Sequence, residues 1–233
     1  MSDALDKLAG IRNLPIFPLP LVLLPGEFLP LHIFEPRYRK MLEDVQQGRN
    51  FFGVTFYDLS NALDERPEPG TIGCVAEIRE AHELPDGRSN ILTFGVARYR
   101  LIDYVDAGEP YLVGDLEFFE DEEADESVLM PLGDEVHALF ERIAKAAFKL
   151  SGNQGTLPDI PKTDPEQMSF LITAAFHLEN ELKYEMAEIT STTLRLEKLR
   201  EVLLRAVGKL EENADIQQVA KTNGHSKKKI DLD

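Results

Sequence analysis

The sequence predicts an α+β protein in which a mostly antiparallel β-barrel is followed by a bundle of helices. Three observations predict it. An apolar run over residues 14–36 (LPIFPLPLVLLPGEFLPLHIFEP) is broken by Pro15, Pro18, Pro20, Pro25 and Pro30. Between residues 51 and 119 apolar side chains recur with a period of two, and after residue 134 they recur with the period of a helix.

Proline removes a backbone donor and fixes φ, so in a sheet it is confined to edges, bends and bulges. The opening run therefore reads as a bent strand, a turn and a second strand. Tyr38, Met41, Leu42 and Val45 then follow at i, i+3, i+4 and i+7, one apolar face of a short helix. Pro36 suits its first position and Gly48 the position past its last turn, which leaves Arg37, Arg39 and Lys40 toward solvent.

Alternation takes over from residue 51. Phe52, Val54 and Phe56 form one strand face, Ile72, Cys74, Ala76 and Ile78 a second, and Leu112, Gly114, Leu116 and Phe118 a third. Asp86-Gly87 marks a hairpin turn, because this pair tolerates positive φ. The next strand changes phase, with Leu92, Phe94 and Val96 apolar and then Tyr99 and Leu101. A bulge near Gly95 accounts for the slip. Together the strands are long enough to curl into a closed sheet.

Residues 115–126 (DLEFFEDEEADE) hold eight acidic and no basic side chains of a chain whose net charge is −17. Such a run reads as a solvated linker, with an acidic docking strip as the alternative. Beyond it, Val136, Leu139, Phe140, Ile143, Ala147 and Leu150 share a helical face. Residues 151–163 read as a loop. Thr163 or Asp164 caps the next helix, with Glu166 completing a capping box. A short helix over 181–188 leads to Ser191, the cap of the longest one, whose stripe is Leu196, Leu199, Leu203, Ala206 and Leu210. Three or four amphipathic helices pack as a small bundle.

Composition excludes several classes. No apolar run reaches the ~20 residues of a membrane span, and the N-terminus has no apolar segment of a signal peptide. One cysteine, Cys74, rules out an internal disulfide and a cysteine-cluster metal site. The expected compartment is the cytoplasm. Net charge of this sign repels phosphate backbones and disfavours nucleic acid as a partner.

With these elements in order, the N-terminal half resembles the substrate-recognition (N-terminal) domain of Lon-type proteases. The resemblance is carried by LPIFPLPLVLLPGEFLPLHIFEPRYRKML, by GTIGCVAEIREAHELPDGRSN, and by GVARYRLID followed by PYLVGDLEFF. The helical part resembles the bundle that follows this domain in stand-alone bacterial members. The resemblance implies an antiparallel, PUA-like pseudobarrel with one short helix over residues 11–120. An acidic linker over 121–133, a bundle over 134–211 and a disordered tail over 212–233 complete the expected organisation. It also implies binding of unfolded or exposed apolar protein segments, with a protease or chaperone as a further partner. No G-x-x-x-x-G-K-[ST] motif occurs, and the sequence reaches no Ser-Lys protease domain. The expectation is a non-catalytic recognition module with no cofactor, no metal and no catalytic residue.

Other chemistry is weak. His82-Glu83 opens like a zinc-protease motif, but a turn follows and no second histidine stands at the needed spacing. His177 and Glu181 lie four apart without a third ligand, and Ser169 with His177 lacks the partner of a hydrolase triad. Cys74 reads as a small buried hydrophobe. Arg98 and Arg100 read as solvated strand charges able to pair with Glu77 or the acidic run. The candidate peptide-binding residues are Leu19, Leu21, Leu23, Phe28 and Leu29 of the bent edge, where not all of them can turn inward although most are expected to be core. Glu35, Arg37 and Tyr38 join them, either as helix-capping architecture or as the rim of a groove between helix and barrel. An RNA-binding module using Arg37, Arg39, Lys40, Arg98 and Arg100, and an enzyme with an unrecognised site, are the alternatives.

Overall fold

The proline-rich run folds as two strands. In the computed structural model, which describes residues 3–57, 66–150, 162–176 and 178–223, a short helix α1 (Asp3–Lys7) leads into β1 (Asn13–Leu19) and then β2 (Phe28–Ile33). The helix α2 (Pro36–Gln47) and strands β3 (Phe51–Phe56), β4 (Ile72–Glu83), β5 (Ser89–Tyr104) and β6 (Leu112–Phe119) follow. Helices α3 (Glu126–Leu150), α4 (Pro165–Ala175), α5 (Asn180–Glu188) and α6 (Thr192–Asn223) complete the chain.

The strands run in the order β2-β5-β4-β3-β1-β6, and β6 pairs again with β5. Five strands thus close a ring, while β2 lies outside it on the first half of β5, Phe28 opposite Phe94 and Ile33 opposite Ser89. Closure explains how so few strands avoid open edges. The sheet is antiparallel except between β1 and β3, where Ile16 lies beside Gly53. That exception follows from connectivity: the chain leaves β1 and returns to β3 only after β2 and α2, the kind of crossover a parallel pair requires.

The interior of the ring is narrow. Ile16, Val75, Tyr99, Leu101 and Leu116 fill it, with α1 contributing partly buried Ala4 and Leu5 to the same cluster. The Tyr99 ring lies over Gly53 and Gly73, where a Cβ would approach it to 2.9 and 2.3 Å. Its hydroxyl is shared with Thr55 Oγ1 at 2.5 Å, which satisfies two buried polar groups at once. On the other face, α2 buries Tyr38, Met41, Leu42 and Val45 against Phe17, Phe52, Val54 and Ile78. The left-handed step after α2 is taken by Asn50 (φ 63°), whereas Gly48, the expected position, has φ −102°.

The bulge in β5 lies where the phase of the sequence places it. Ala76 of β4 faces Gly95 and Cys74 faces Arg98, so β5 carries one extra residue there. The backbone of the β1–β2 loop crosses at this point. Gly26 N–H donates to Gly95 O and Gly95 N–H to Glu27 O, both at 2.9 Å. The Asp86-Gly87 turn also forms, with Gly87 at φ +77° and its N–H on Leu84 O at 2.9 Å.

The C-terminal region is helical, and its helices divide between two compact units. Residues Met1–Ala124 and Asp164–Thr192 form the first, which joins α4 and α5 to the sheet. Asp125–Thr163 and Thr193–Asp233 form the second, with α3 and α6. The physical reason is a shared apolar cluster: Phe170 of α4 and Ala187 of α5 are buried with Val22, Leu24 and Ile72. Tyr184 of α5 accepts from Ile72 N–H at 3.0 Å. In the second unit α3 buries Leu132, Val136 and Ile143, α6 buries Leu196, Leu199, Leu203 and Val207, and Arg200 pairs with Glu135.

The acidic run is not a single linker in this architecture. Residues 115–119 belong to β6, and α3 begins at Glu126 within the expected 121–133 linker. Helix α6 continues to Asn223, over the first half of the expected 212–233 tail. Asp164, rather than Thr163, caps α4 by accepting from Gln167 N–H at 2.9 Å. The expected 151–163 loop falls outside the described residues through position 161.

Gly95 tests the crossing. A Cβ there would stand 2.1 Å from Leu24 O, a backbone atom that cannot swing aside. Gly95→Ala is expected to lower stability by about 1–3 kcal/mol or more, read as a fall in the urea midpoint at unchanged slope.

Candidate functional site

Strand β2 hydrogen-bonds to β5 alone, so its other edge is free of sheet partners among the described strands. Its two faces differ. Leu29, Leu31 and Ile33 turn toward the core beneath α2, while Phe28, Pro30 and His32 are exposed. Phe28 is 59% exposed and packs on Phe94, ring centres 5.0 Å apart. Phe34, just past the strand, is 58% exposed and stacks on His32 at 6.0 Å. Large aromatic side chains left this open are unusual when no surface needs them.

The result is an apolar stripe along the edge ribbon, from Phe34 over His32 and Pro30 to Phe28 and Phe94. Polar groups rim it. The Arg79 guanidinium sits 5.0 Å over the Phe94 ring, and His32 Nδ1 shares a hydrogen bond with Asn90 Oδ1 at 2.7 Å. The aromatic contacts hold the rings in place, and the free edge leaves one side of the stripe open to a ligand.

The other sequence candidates divide. Phe28 lies on the stripe. Leu23 and Tyr38 are buried, Tyr38 with its ring 4.1 Å from Phe17. Leu19, Leu21 and Leu29 are partly buried on the same cluster. A bent strand followed by a covering helix draws these side chains inward, because α2 needs an apolar floor. Glu35 occupies the N-cap position of α2 without a side-chain capping bond. Its carboxylate instead accepts from Arg37 Nε at 3.0 Å, and the Arg37 guanidinium lies 4.6 Å over the Tyr38 ring. Phe34 and Phe94 were missed, although Phe34 shares the parity of Phe28 and could have been found by extending the alternation.

Cys74 is buried in the core, and burial pushes its thiol far above the ordinary range. That makes it a poor nucleophile. His82 and Glu83 are exposed at the end of β4. His177 lies outside the described residues, so the two weak arrangements involving it, a metal pair with Glu181 and a triad with Ser169, do too. Among the described residues no three histidine, cysteine or acidic side chains gather as a metal site.

Arg98 pairs with the acidic run, as expected, through Asp121, but it does so from inside the protein rather than as a solvated charge. It is 2% exposed, its Nη1 donates to Ala187 O and Ile189 O at 3.0 and 2.7 Å, and its Nη2 pairs with Asp121. Those carbonyls close the C-terminal end of α5, where no intrahelical donor remains. The guanidinium also lies 4.6 Å over Phe119 and 5.0 Å over Phe170. Asp121 accepts a further bond from Thr192. The five cations proposed for RNA therefore do not share one exposed patch, since Arg98 is inside.

The same docking fixes the loop that precedes β2. Lys183 of α5 pairs with Glu27 at 3.2 Å, Glu27 accepts from Leu24 N–H at 3.0 Å, and Asn180 donates to Pro20 O at 3.0 Å. The stripe thus starts from an anchored loop.

A free-edged aromatic ribbon on a five-stranded ring defines a protein-recognition scaffold more readily than a catalytic pocket. The description "ATP-dependent protease La (LON) substrate-binding domain" matches residues 13–205, and the chain belongs to that family. Lon protease 1 of Hydrogenovibrio crunogenus is 28% identical over 215 residues, 90% of this chain and 25% of that protein. The Lon protease of Flavobacterium johnsoniae is 28% identical over 232 residues, 95% of this chain and 26% of the relative. The chain thus spans about a quarter of the length of these curated relatives. A Lon N-terminal domain protein from Xanthomonas campestris shares the fold at a TM-score of 0.60 and 23% identity, over 81% of this chain and 97% of the other. The N-terminal domain of a Mycobacterium avium complex Lon protease does so at 0.59 and 16%, over 82% and 98%.

Removing Arg98 tests what holds the site together. Arg98→Met removes the buried ion pair with Asp121 and the bonds to Ala187 O and Ile189 O, and is expected to cost about 3–5 kcal/mol. The double variant Arg98→Met, Asp121→Leu is expected to recover part of that loss, with both read from chemical denaturation.

Proposed function

We propose that this protein is a non-catalytic recognition module that holds exposed apolar segments of unfolded or partly folded proteins on the β2 stripe. The observation that carries the reading is the pair of exposed rings, Phe28 on β2 and Phe34 just past it, beside a strand edge that has no sheet partner among the described residues. Aromatic side chains are the commonest anchors of protein interfaces, because they bury much area at little entropic cost. Pro30 in the middle of the edge removes a donor and discourages sheet growth from copy to copy. An apolar client is therefore gripped mainly by side chains, with short backbone pairing at the ends of the strand.

Family membership supports the reading, since the matched domain is described as substrate-binding. A client held this way is available to a protease or a chaperone as the next partner. The cytoplasm suits such a client supply, and no helix among the described residues is long and apolar enough to cross a membrane.

Binding of the full chain to a reduced, alkylated and permanently unfolded protein tests the proposal. Wild type is expected to bind, and the double variant Phe28→Ser, Phe34→Ser to bind about tenfold more weakly or worse, with its thermal unfolding unchanged. No binding by wild type, or equal binding by both, would sink the idea.

A further inference from the structure

A second feature of the sheet unit lies away from the stripe. Residues 10–15, with Asp44, Val45, Gly48, Arg49 and Phe51, enclose a surface cleft of about 480 Å³. That is within the range of small-ligand pockets, about 300–1,000 Å³. Its walls are apolar: Leu14, Val45 and Phe51 are buried, and Ile11 and Pro15 are half-buried. A cleft this apolar needs few polar groups to orient what enters it, so the charges at its rim decide the ligand.

Three charged side chains line it, and two are already neutralised. Arg12 holds Asp115 through two hydrogen bonds of 2.7 and 2.9 Å. Asp44 pairs with Lys40 and accepts from the Tyr111 hydroxyl at 2.8 Å. Arg49 is different. It is exposed, its Nη1 donates to Ala9 O at 2.8 Å, and no carboxylate pairs with it among the described residues. The bond to Ala9 holds the guanidinium at the cleft, while its remaining donors stay available, since arginine carries five.

We infer that this cleft binds the C-terminal end of a protein segment, with the terminal carboxylate on Arg49 and an apolar last side chain against Leu14, Val45 and Phe51. A planar guanidinium recognises a carboxylate with two parallel hydrogen bonds, and the apolar walls select the side chain attached to it. The net charge of −17 repels acidic chains in general, so Arg49, the cation of this cleft that no carboxylate pairs with among the described residues, marks where one carboxylate is welcome. In taking a protein end as the source of that carboxylate, the inference rests on the substrate reading above.

The probe is a fluorescein-labelled Ala-Leu-Phe tripeptide as the free acid, compared with its C-terminal amide and with octanoate, all against the full chain. The acid is expected to bind about tenfold tighter than the amide or better. Arg49→Gln should erase that difference and Arg49→Lys restore part of it, while octanoate competes poorly because it lacks the peptide backbone. Equal binding of acid and amide, a difference that survives Arg49→Gln, or octanoate binding through Arg49 where the peptide acid does not bind would overturn the inference. The acid–amide comparison needs no variant, so it stands even if Arg49→Gln fails to fold. It is also independent of the stripe, because an unfolded protein captured by Phe28 and Phe34 is blind to the amidation of its last residue.

Discussion

The buried guanidinium of Arg98 is the contact on which the first unit depends. A charge taken from water is tolerated only when strong acceptors replace the water, and here a carboxylate and two helix-end carbonyls do so. Two aromatic rings close the remaining faces. One side chain of β5 thereby fixes α5, the segment after β6 and Thr192, contributed by three stretches of sequence. Apolar packing alone would let α4 and α5 slide on the sheet. The hydrogen bonds to Ala187 and Ile189 give them one register.

That register propagates to the site. With α5 fixed, Lys183 and Asn180 hold the 20–27 loop, the loop crosses Gly95, and β2 leaves it at a set point on β5. The stripe therefore sits on a rigid support even though β2 is outside the closed ring. Surfaces built on anchored loops lose little conformational entropy on association.

Much of this was legible in the sequence. The proline spacing placed β1 and β2 with a turn between them, the apolar parity shift located the bulge, and Asp86-Gly87 located the hairpin. The parallel pairing of β1 with β3 was hidden, because alternation reports a face and not a neighbour. Arg98 was hidden for a related reason: a charged residue alternating with apolar ones looks solvated, and its carbonyl partners lie some ninety residues away in sequence. A bent proline-rich edge does not say which of Leu19, Leu21, Leu23, Phe28 and Leu29 turn inward. The cover for the leucines is supplied by α2, and Phe28 and Phe34 stay outside.

The bulge in β5 has a consequence for how such a chain can change over evolutionary time. Ahead of it, Ile91 and Thr93 are buried and Phe94 faces the stripe; behind it, Tyr99 and Leu101 fill the ring and Arg98 points to α5. The extra residue works like a frameshift that lets one strand serve two different compartments. Deleting it would exchange the places of Arg98 and Tyr99, driving a cation into the ring and a phenol toward the helices. Insertions at the Asp86-Gly87 turn are tolerable by comparison, since they lengthen a hairpin without changing any parity. Among relatives that keep this architecture, the spacing from Phe94 to Tyr99 should thus drift far less than the sequence around it.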